Sequence, residues 1–179
     1  QLTGGKLGSK HPIHPNEDVN QSQSSNDTFP TAMHIATVLA FDTHLIPAVT
    51  ELKDAIWTKA REWVDVVKIG RTHLQDATPL TVGQEWSGYA TQLEDALLAV
   101  RGSMQGLYRL AIGGTAVGTG LNAPEDFGPR VATKLAEFLH HPFVSAPNKF
   151  AALASLDAMV AASAALRGLA IVLIKIAND

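Results

Sequence analysis

Apolar residues recur every three or four positions along most of the chain, and short polar stretches rich in glycine and proline separate these periodic segments. This spacing is that of amphipathic helices. Helices are predicted from about residue 28 to Leu45, from Pro47 to Val67, from Pro79 to about Ala111, from about Glu125 to His140, and from about Asn148 onward. We find no internal repeat and no strand pattern longer than a few residues. The sequence therefore predicts an all-α fold.

The helix predicted after Pro79 is the longest, and its length bears on the shape of the fold. About 30 residues at the helical rise of 1.5 Å give about 45 Å. A compact globule of this chain's size has a radius of gyration of about 16 Å and a diameter near 40 Å. The helices are therefore expected to form an elongated bundle.

The last predicted helix is apolar on nearly every face between Ala151 and Ile174. A helix apolar all round must be buried all round. A chain this small can hardly surround a helix by itself, so we expect this helix to pack against other subunits.

Two regions are predicted along the chain. Residues 1–27 contain several glycines and prolines with little periodicity, and they are predicted to be a loop segment. Residues 28–179 form the predicted helical-bundle domain. Asn26, Asp27 and Thr28 are candidate N-caps of its first helix, and Pro30 suits the first turn. Further loops are predicted at residues 70–78, 113–124 and 142–147.

Both ends of the sequence look cut. The chain begins with Gln1 rather than methionine, and its last helical pattern runs to Asp179 with no glycine or proline stop. We interpret the chain as an internal piece of a longer protein.

Charge and composition exclude several classes of function. The net charge of −3 leaves no basic face for nucleic acid. Cysteine is absent, so no disulfide and no thiolate metal site can form, which fits a reducing compartment. No signal peptide is visible. Asp157, Arg167 and Lys175 interrupt the longest apolar stretches, so no segment is predicted to span a membrane.

Two polar blocks stand out, at residues 23–27 (QSSND) and 70–77 (GRTHLQDA), each next to an apolar periodic segment. Free backbone N–H groups at a helix N-terminus attract anions, and hydroxyl and amide side chains add donors. Together with His73, the two blocks suggest a pocket for a small carboxylate. The first block could instead be an N-cap cluster alone, although its polar residues exceed what one helix end needs.

His73 has two interpretations. It could be a solvated loop histidine, as isolated histidines usually are. Its dense polar surroundings also fit a proton carrier, since imidazole titrates near neutral pH.

Three other groups of residues have weaker functional interpretations. The spacing of His11, His14, Glu17 and Asp18 fits no usual zinc pattern, and the intervening prolines hold the segment extended. Residues 113–120 (GGTAVGTG) resemble a phosphate cradle but lack the ending of a P-loop and a preceding strand. A tight connection between helices, bringing backbone close to a ligand, is the better interpretation. His140 and His141 would place favourable charge at a helix C-terminus.

The motifs together resemble class II fumarate hydratase. The resemblance rests on residues 14–20 (HPNEDVN), 22–27 (SQSSND), 70–77, 113–122 (GGTAVGTGLN) and 146–150 (APNKF), which occur in the family's order along nearly the whole chain. Aspartases look like Gly-Arg-Thr-Gln where this chain has Thr72 and His73, and like Ser-Thr-Asn-Asp around Ser25. A related lyase such as aspartase is therefore the less favoured alternative, and a non-catalytic helical assembly fragment is a third.

The resemblance implies the reversible hydration of fumarate to L-malate, a reaction of the tricarboxylic acid cycle, with no metal or organic cofactor. It implies a homotetramer built on a long central helix bundle, with each active site shared by three subunits. The small dicarboxylate is then the ligand, with no nucleic acid or membrane partner. The expected location is the cytoplasm, or the mitochondrion in a eukaryote.

The resemblance also assigns roles to residues. His73 would activate the water or carry its proton. The substrate carboxylates would be bound by Ser24, Ser25, Asn26 and Thr72. A second dicarboxylate site, near the entrance, would comprise His14, Pro15, Asn16 and Glu17.

Several family features are not found in this sequence. The loop Gly-Ser-Ser-x-Met-Pro-x-Lys-x-Asn is absent, and with it the serine regarded as the carbon base. The glutamate thought to pair with the histidine and an upstream Gly-Ser-Gly-Thr segment are also missing. The chain alone is therefore expected to be inactive, and the full-length protein active. Glu17 stands where aspartate is commoner, one methylene longer in the second site.

Overall fold

A capping box starts the first helix, α1 (Ser25–Ala40). The Ser24 hydroxyl accepts from the Asn26 N–H at 3.2 Å, and the Asp27 carboxylate accepts from the Ser24 N–H at 2.9 Å. Ser24 is thus the N-cap, and the prediction of Asn26, Asp27 or Thr28 was wrong. Because the helix starts earlier, Pro30 lies past the first turn rather than in it. The computed structural model describes residues 3–179.

The predicted break between Leu45 and Pro47 was also wrong. A short π-helical stretch, Phe41–Leu45, joins α1 to α2 (Ile46–Glu62), and one helical run extends from Ser25 to Glu62. A wide π turn accommodates a residue that cannot donate a backbone hydrogen bond, so the helix continues past the proline.

The predicted loop at residues 70–78 is a β-hairpin. Strands β1 (Val67–Thr72) and β2 (Gln75–Thr81) pair antiparallel, with Thr72 opposite Gln75. The connecting residues His73 and Leu74 have φ of 52° and 58°. Two central residues with positive φ are the signature of a type I′ turn, whose twist matches that of the paired strands.

Helix α3 (Val82–Leu107) is the longest single helix and begins three residues after the predicted start, because β2 extends to Thr81. Thr81 and Gln84 cap it reciprocally, with N–H to side-chain oxygen distances of 2.9 and 3.1 Å. The predicted apolar periodicity is confirmed by its buried side chains, which are Tyr89, Ala90, Leu93, Ala96, Leu97, Val100, Met104 and Leu107.

A glycine-rich connection and short elements complete the chain. Strand β3 (Arg109–Leu110) pairs parallel with β4 (Val144–Ser145), and α4 (Phe127–Leu139) lies between them in sequence. The predicted final helix is divided into α5 (Lys149–Ala154) and α6 (Asp157–Asn178). Ser155 is extended, with φ −153° and ψ 171°, and this ends α5. Apart from these small sheets the fold is helical, as predicted.

The chain forms two compact units. The first contains the described residues up to Ala36 together with Gly106–Asp157, and the second contains Thr37–Gln105 and Ala158–Asp179. In the second unit Trp63 and Trp86 pack edge to face, with ring centroids 4.7 Å apart.

Helix α6 exposes most of its apolar surface. Ala162 and Leu169 are buried, whereas Val160, Ile171 and Ile174 are each more than half exposed. Contrary to expectation, Ser25–Glu62 and Asp157–Asn178 are long and apolar enough to cross a membrane, judged by length and composition alone. Core helices of globular proteins pass the same test, so this finding alone does not assign either helix to a membrane.

Candidate functional site

The start of α1 presents polar groups that are partly engaged within the fold. Ser24 is half-buried and its hydroxyl caps the helix. The exposed Asn26 donates from its side-chain amide to the Ala116 carbonyl at 2.9 Å. Ser25 is exposed, and its hydroxyl makes no hydrogen bond within residues 3–179. The capping interpretation therefore holds for Ser24, while Ser25 and the rest of the Asn26 amide face outward and can meet a ligand.

Asp27 lies behind this surface and is fully buried. Its Oδ1 accepts from the Ser24 N–H, and its Oδ2 accepts from the N–H groups of Gly113 and Thr115 at 3.0 and 2.9 Å. A buried carboxylate is tolerated only when hydrogen bonds replace its water. Asp27 thus ties the first turn of α1 to the glycine-rich loop. The sequence analysis missed this role. The Ser-x-x-Asp spacing of a capping box could have indicated the contact with Ser24 but not the contacts with the loop.

The glycine-rich loop owes its glycines to packing. A Cβ on Gly113 would lie 2.6 Å from the Gly128 Cα, and one on Gly118 would lie 2.8 Å from a ring carbon of Phe150. Both glycines have positive φ, of 91° and 105°. The backbone therefore approaches neighbouring protein closely. The loop follows the two-residue strand β3 rather than a helix, which corrects the predicted helix-to-helix connection.

The side chain of Lys149 packs against the same loop, beside Gly113 and Gly114. Its ammonium donates to the Leu110 carbonyl at 3.1 Å and to the Ser145 hydroxyl. Burial lowers the pKa of Lys149, and the negative charge of Asp27 partly opposes that shift. The lysine also lines a cavity of about 360 Å³ with Gly113, Gly120 and Glu125. Periodicity gave no sign of this role, because Lys149 lies in the first turn of a short helix.

His73 occupies the tip of the hairpin formed by β1 and β2, with its side chain exposed. The backbone there is held by the register of the hairpin, with Thr72 paired to Gln75 and Arg71 to Asp76. A bulge lies next to Gly70, where a Cβ would sit 2.5 Å from the Thr78 carbonyl oxygen. The imidazole is thus presented on a defined turn rather than on a flexible loop.

The Arg71 and Asp76 side chains form an ion pair across the hairpin, with Nε and Oδ1 3.3 Å apart. Both side chains are more than two-thirds exposed, and exposed pairs of this kind contribute little to stability. Their charges flank the exposed Thr72 and His73.

The predicted second site lies on a π-helical turn, Pro15–Val19. His14 caps this turn, since its Nδ1 accepts from the N–H groups of Asn16 and Glu17 at 3.2 and 3.1 Å. Asp18 accepts from the His14 N–H at 2.7 Å. The Nδ1 is therefore the unprotonated nitrogen, and the Nε2–H is the group of the ring that can donate to a ligand. No group of three or more metal-ligating side chains converges within the described part of the chain.

The predicted substrate residues fall in both compact units. Ser24, Ser25 and Asn26 belong to the first, and Thr72 and His73 to the second.

His34, a half-buried histidine of α1, was not identified by the sequence analysis. Its Nδ1 lies 3.2 and 3.1 Å from the carbonyl oxygens of Leu107 and Arg109, so this nitrogen carries the proton. Burial lowers the pKa of His34 from 6.5, and the two carbonyls only partly oppose the shift. The neutral form of His34 on α1 is therefore favoured where its ring meets the chain that leaves α3.

We expect acid to weaken the fold through His34. Because its pKa is lowered in the folded state, the stabilisation is complete above about pH 6.5 and is lost as the pH falls through the folded value. In His34→Gln, the free energy of unfolding should fall less between about pH 7 and pH 5 than in the unsubstituted protein. Urea unfolding at a series of pH values measures this. The exposed His44 provides the control, and an equal pH dependence in His34→Gln and His44→Gln would refute the assignment.

Comparison with known proteins places these features in a family context. A family model described as "Lyase" matches residues 2–179. The class II fumarate hydratase of Methanosarcina acetivorans is 76% identical over 179 residues, all of this chain and 37% of that protein. The mitochondrial fumarate hydratase of Rhizopus oryzae is 58% identical over 179 residues, all of this chain and 36% of that protein.

A solved structure is similar over most of the chain. The class II fumarase of Schistosoma mansoni superposes with a TM-score of 0.91 at 38% sequence identity, and the match covers 94% of this chain and 38% of that one. The chain thus spans well under half the length of the relatives it matches.

Proposed function

Since residues 2–179 match the lyase family model, the chain belongs to that family, and we propose that the full-length protein containing it is a fumarate hydratase. It hydrates fumarate reversibly to L-malate. The observation that carries this proposal is the 76% identity to a class II fumarate hydratase across all 179 residues. The Thr72-His73 pair and Ser25 favour the hydratase over the ammonia-eliminating relatives.

Side chains on the first turn of α1 and at the hairpin tip are proposed to bind the substrate carboxylates. Ser25 offers an exposed hydroxyl, Asn26 keeps one amide hydrogen after bonding Ala116, and Thr72 is exposed beside the turn. Removing a proton from the carbon next to a carboxylate builds a second negative charge on that group. Fixed N–H and O–H donors aimed at this charge stabilise the transition state.

His73 is the proposed acid and base for water. In malate dehydration the hydroxyl leaves as water and needs a proton, and in the reverse direction the attacking water loses one. Imidazole carries protons in both directions near neutral pH. The exposed ring on a hairpin of fixed register supports this role because it presents the group with a defined backbone.

The proton on carbon requires a second base, which we place outside these 179 residues. The chain spans about 37% of its Methanosarcina relative. The remaining length leaves room for the serine-bearing loop that the resemblance implies. We therefore propose that the isolated chain is inactive.

We propose that the exposed apolar face of α6 is buried against other subunits. Val160, Ile171 and Ile174 are 67%, 61% and 59% exposed, which leaves a long apolar face unpartnered in this chain. We propose a homotetramer in which each active site is shared between subunits. The full-length protein should sediment as a single species of four subunits, and a monodisperse monomer would refute this assembly.

The segment around His14 is the proposed second dicarboxylate site, with Pro15, Asn16 and Glu17. Two of the groups in it, the Asn16 side chain and the His14 Nε2–H, are donors suited to a carboxylate. The proposed location is the cytoplasm, or the mitochondrion if the organism is a eukaryote.

A substrate panel separates the hydratase from its alternatives. The full-length protein is incubated with L-malate, D-malate and L-aspartate, and the appearance of fumarate is followed by its ultraviolet absorbance. Activity with L-malate alone supports the hydratase. Activity with L-aspartate identifies an ammonia lyase, and no activity with any of the three favours a non-catalytic assembly protein.

A further inference from the structure

The carboxylate of Asp27 is the deepest charge beside the proposed substrate residues. The side chain is fully buried and accepts three backbone hydrogen bonds, from Ser24, Gly113 and Thr115, all between 2.9 and 3.0 Å. Three N–H donors satisfy an ionised carboxylate and fix both of its oxygens. A ligand cannot touch a fully buried group, so any effect of Asp27 on binding must pass through its neighbours.

A second connection leads from the glycine-rich loop back to the helix. Thr115, which donates to Asp27, is followed by Ala116, and the Ala116 carbonyl accepts from the Asn26 side-chain amide at 2.9 Å. The Asn26 side chain is therefore oriented by the same loop that the Asp27 carboxylate holds. One hydrogen of the Asn26 amide is fixed in this way, and the residue is exposed.

We propose that Asp27 is a positioning residue for dicarboxylate binding, which sets the orientation of Asn26 and Ser24 through the loop at residues 113–116. The inference rests on the proposed function and extends it to a residue that does not touch the substrate. Two paths run from the carboxylate to the binding surface. One is the direct hydrogen bond to the Ser24 N–H, and the other passes through Thr115 and Ala116 to the Asn26 amide.

Both the charge and the shape of the carboxylate are required. In Asp27→Asn an NH2 group replaces one acceptor and faces a backbone N–H, so one donor loses its partner and the loop must shift. Asp27→Glu keeps the charge, but its extra methylene moves the carboxylate oxygens away from the three N–H donors in a buried space. Either change should displace the Asn26 amide while leaving His73 in place.

Thr31 offers a matched control on the same helix. It is buried, and its hydroxyl accepts from the Ile112 N–H at 3.0 Å, at the entrance of the same loop. Thr31→Val removes this helix-to-loop hydrogen bond with little change of volume. It lowers stability without touching the carboxylate or the Asn26 amide.

The test uses the full-length protein and the saturated dicarboxylate succinate, which has neither the double bond nor the hydroxyl of the reacting molecules. Calorimetry gives the affinity for succinate, steady-state kinetics gives KM and kcat for L-malate, and thermal unfolding gives Tm. Asp27→Asn should weaken succinate binding and raise KM by about tenfold or more, the effect of losing one hydrogen bond to a charged group. We expect kcat for L-malate to fall as well, because the displaced Asn26 amide also faces the charge that develops on the carboxylate in the transition state.

Thr31→Val should lower Tm with KM and succinate affinity unchanged. If both variants lose affinity in proportion to their loss of Tm, or if Asp27→Asn binds succinate as tightly as the unsubstituted protein, the inference is wrong. Should Asp27→Asn fail to fold, the same comparison is made with Asp27→Glu. Failure of the unsubstituted protein to bind succinate or turn over malate would overturn the proposed function and this inference with it.

Discussion

Replacing His73 by asparagine in the full-length protein is expected to lower kcat for malate dehydration by about 10²-fold or more, the usual loss when a general acid or base is removed. The effect follows from the chemistry, since asparagine keeps hydrogen-bonding groups but cannot carry a proton at neutral pH. The backbone should tolerate the change, because His73 has a φ of 52° and asparagine is among the residues that favour this region. Steady-state kinetics with L-malate measures the loss.

His140 supplies a control of the same kind. It is an exposed histidine with a φ of 57°, at the end of α4 rather than on the hairpin. His140→Asn should leave kcat and KM unchanged. An unchanged rate in His73→Asn would remove His73 from the mechanism. An equal loss of kcat in both variants would indicate a general effect of replacing a histidine whose φ is positive.

The largest loss of stability is expected from Gly113→Ala. The added methyl would meet the Gly128 Cα at 2.6 Å, and the residue has a φ of 91°. Forcing a side chain into packed backbone costs about 1–3 kcal/mol, and a Cβ in the left-handed region adds about 1–2 kcal/mol. We therefore expect the free energy of unfolding to fall by about 2–5 kcal/mol. Urea unfolding of the full-length protein measures it.

Gly88→Ala is the matched control, because a Cβ at this position of α3 meets nothing within 4 Å. An exposed glycine in a helix interior costs stability, so alanine there should raise the free energy of unfolding by about 0.5–1 kcal/mol. If Gly113→Ala were as well tolerated as Gly88→Ala, the close packing of the loop against α4 would be wrong.

The long helices could be predicted because their stability rests on one repeated physical feature. The buried positions of α3, such as Leu93, Leu97 and Val100, follow the three- and four-residue spacing visible in the sequence. Helix ends were less predictable. A proline normally indicates a break in a helix, yet the helix continues through Pro47 because a π turn precedes it. At the start of α1, Ser24 rather than a later residue is the N-cap.

The hairpin could not be predicted from the same reasoning. Its turn consists of His73 and Leu74, whereas asparagine and glycine are the residues that usually signal a two-residue turn with positive φ. The polar residues around it were interpreted as a loop because neither strand shows sustained alternation. Tertiary context, including the ion pair from Lys68 on β1 to Glu85 on α3, stabilises what local preference does not.

The candidate site was predictable in its exposed residues and not in the buried groups that hold them. Ser25 and His73 stood out because polar residues clustered beside apolar segments. Two of the three hydrogen-bond partners of Asp27, Gly113 and Thr115, lie more than 80 residues away along the chain. Long-range hydrogen bonds of this kind leave no periodic signal, so a structure was needed to reveal the positioning role proposed for this carboxylate.

The most direct test compares the 179-residue chain with the full-length protein in one assay, with L-malate added and fumarate followed by ultraviolet absorbance. We predict a rising absorbance for the full-length protein and none for the chain, even at high concentration, because the base for carbon is placed outside these residues. No activity in the full-length protein would contradict the proposed hydratase. A rise from the chain alone that disappears in His73→Asn would show that its own residues suffice, and would contradict that division of the chemistry.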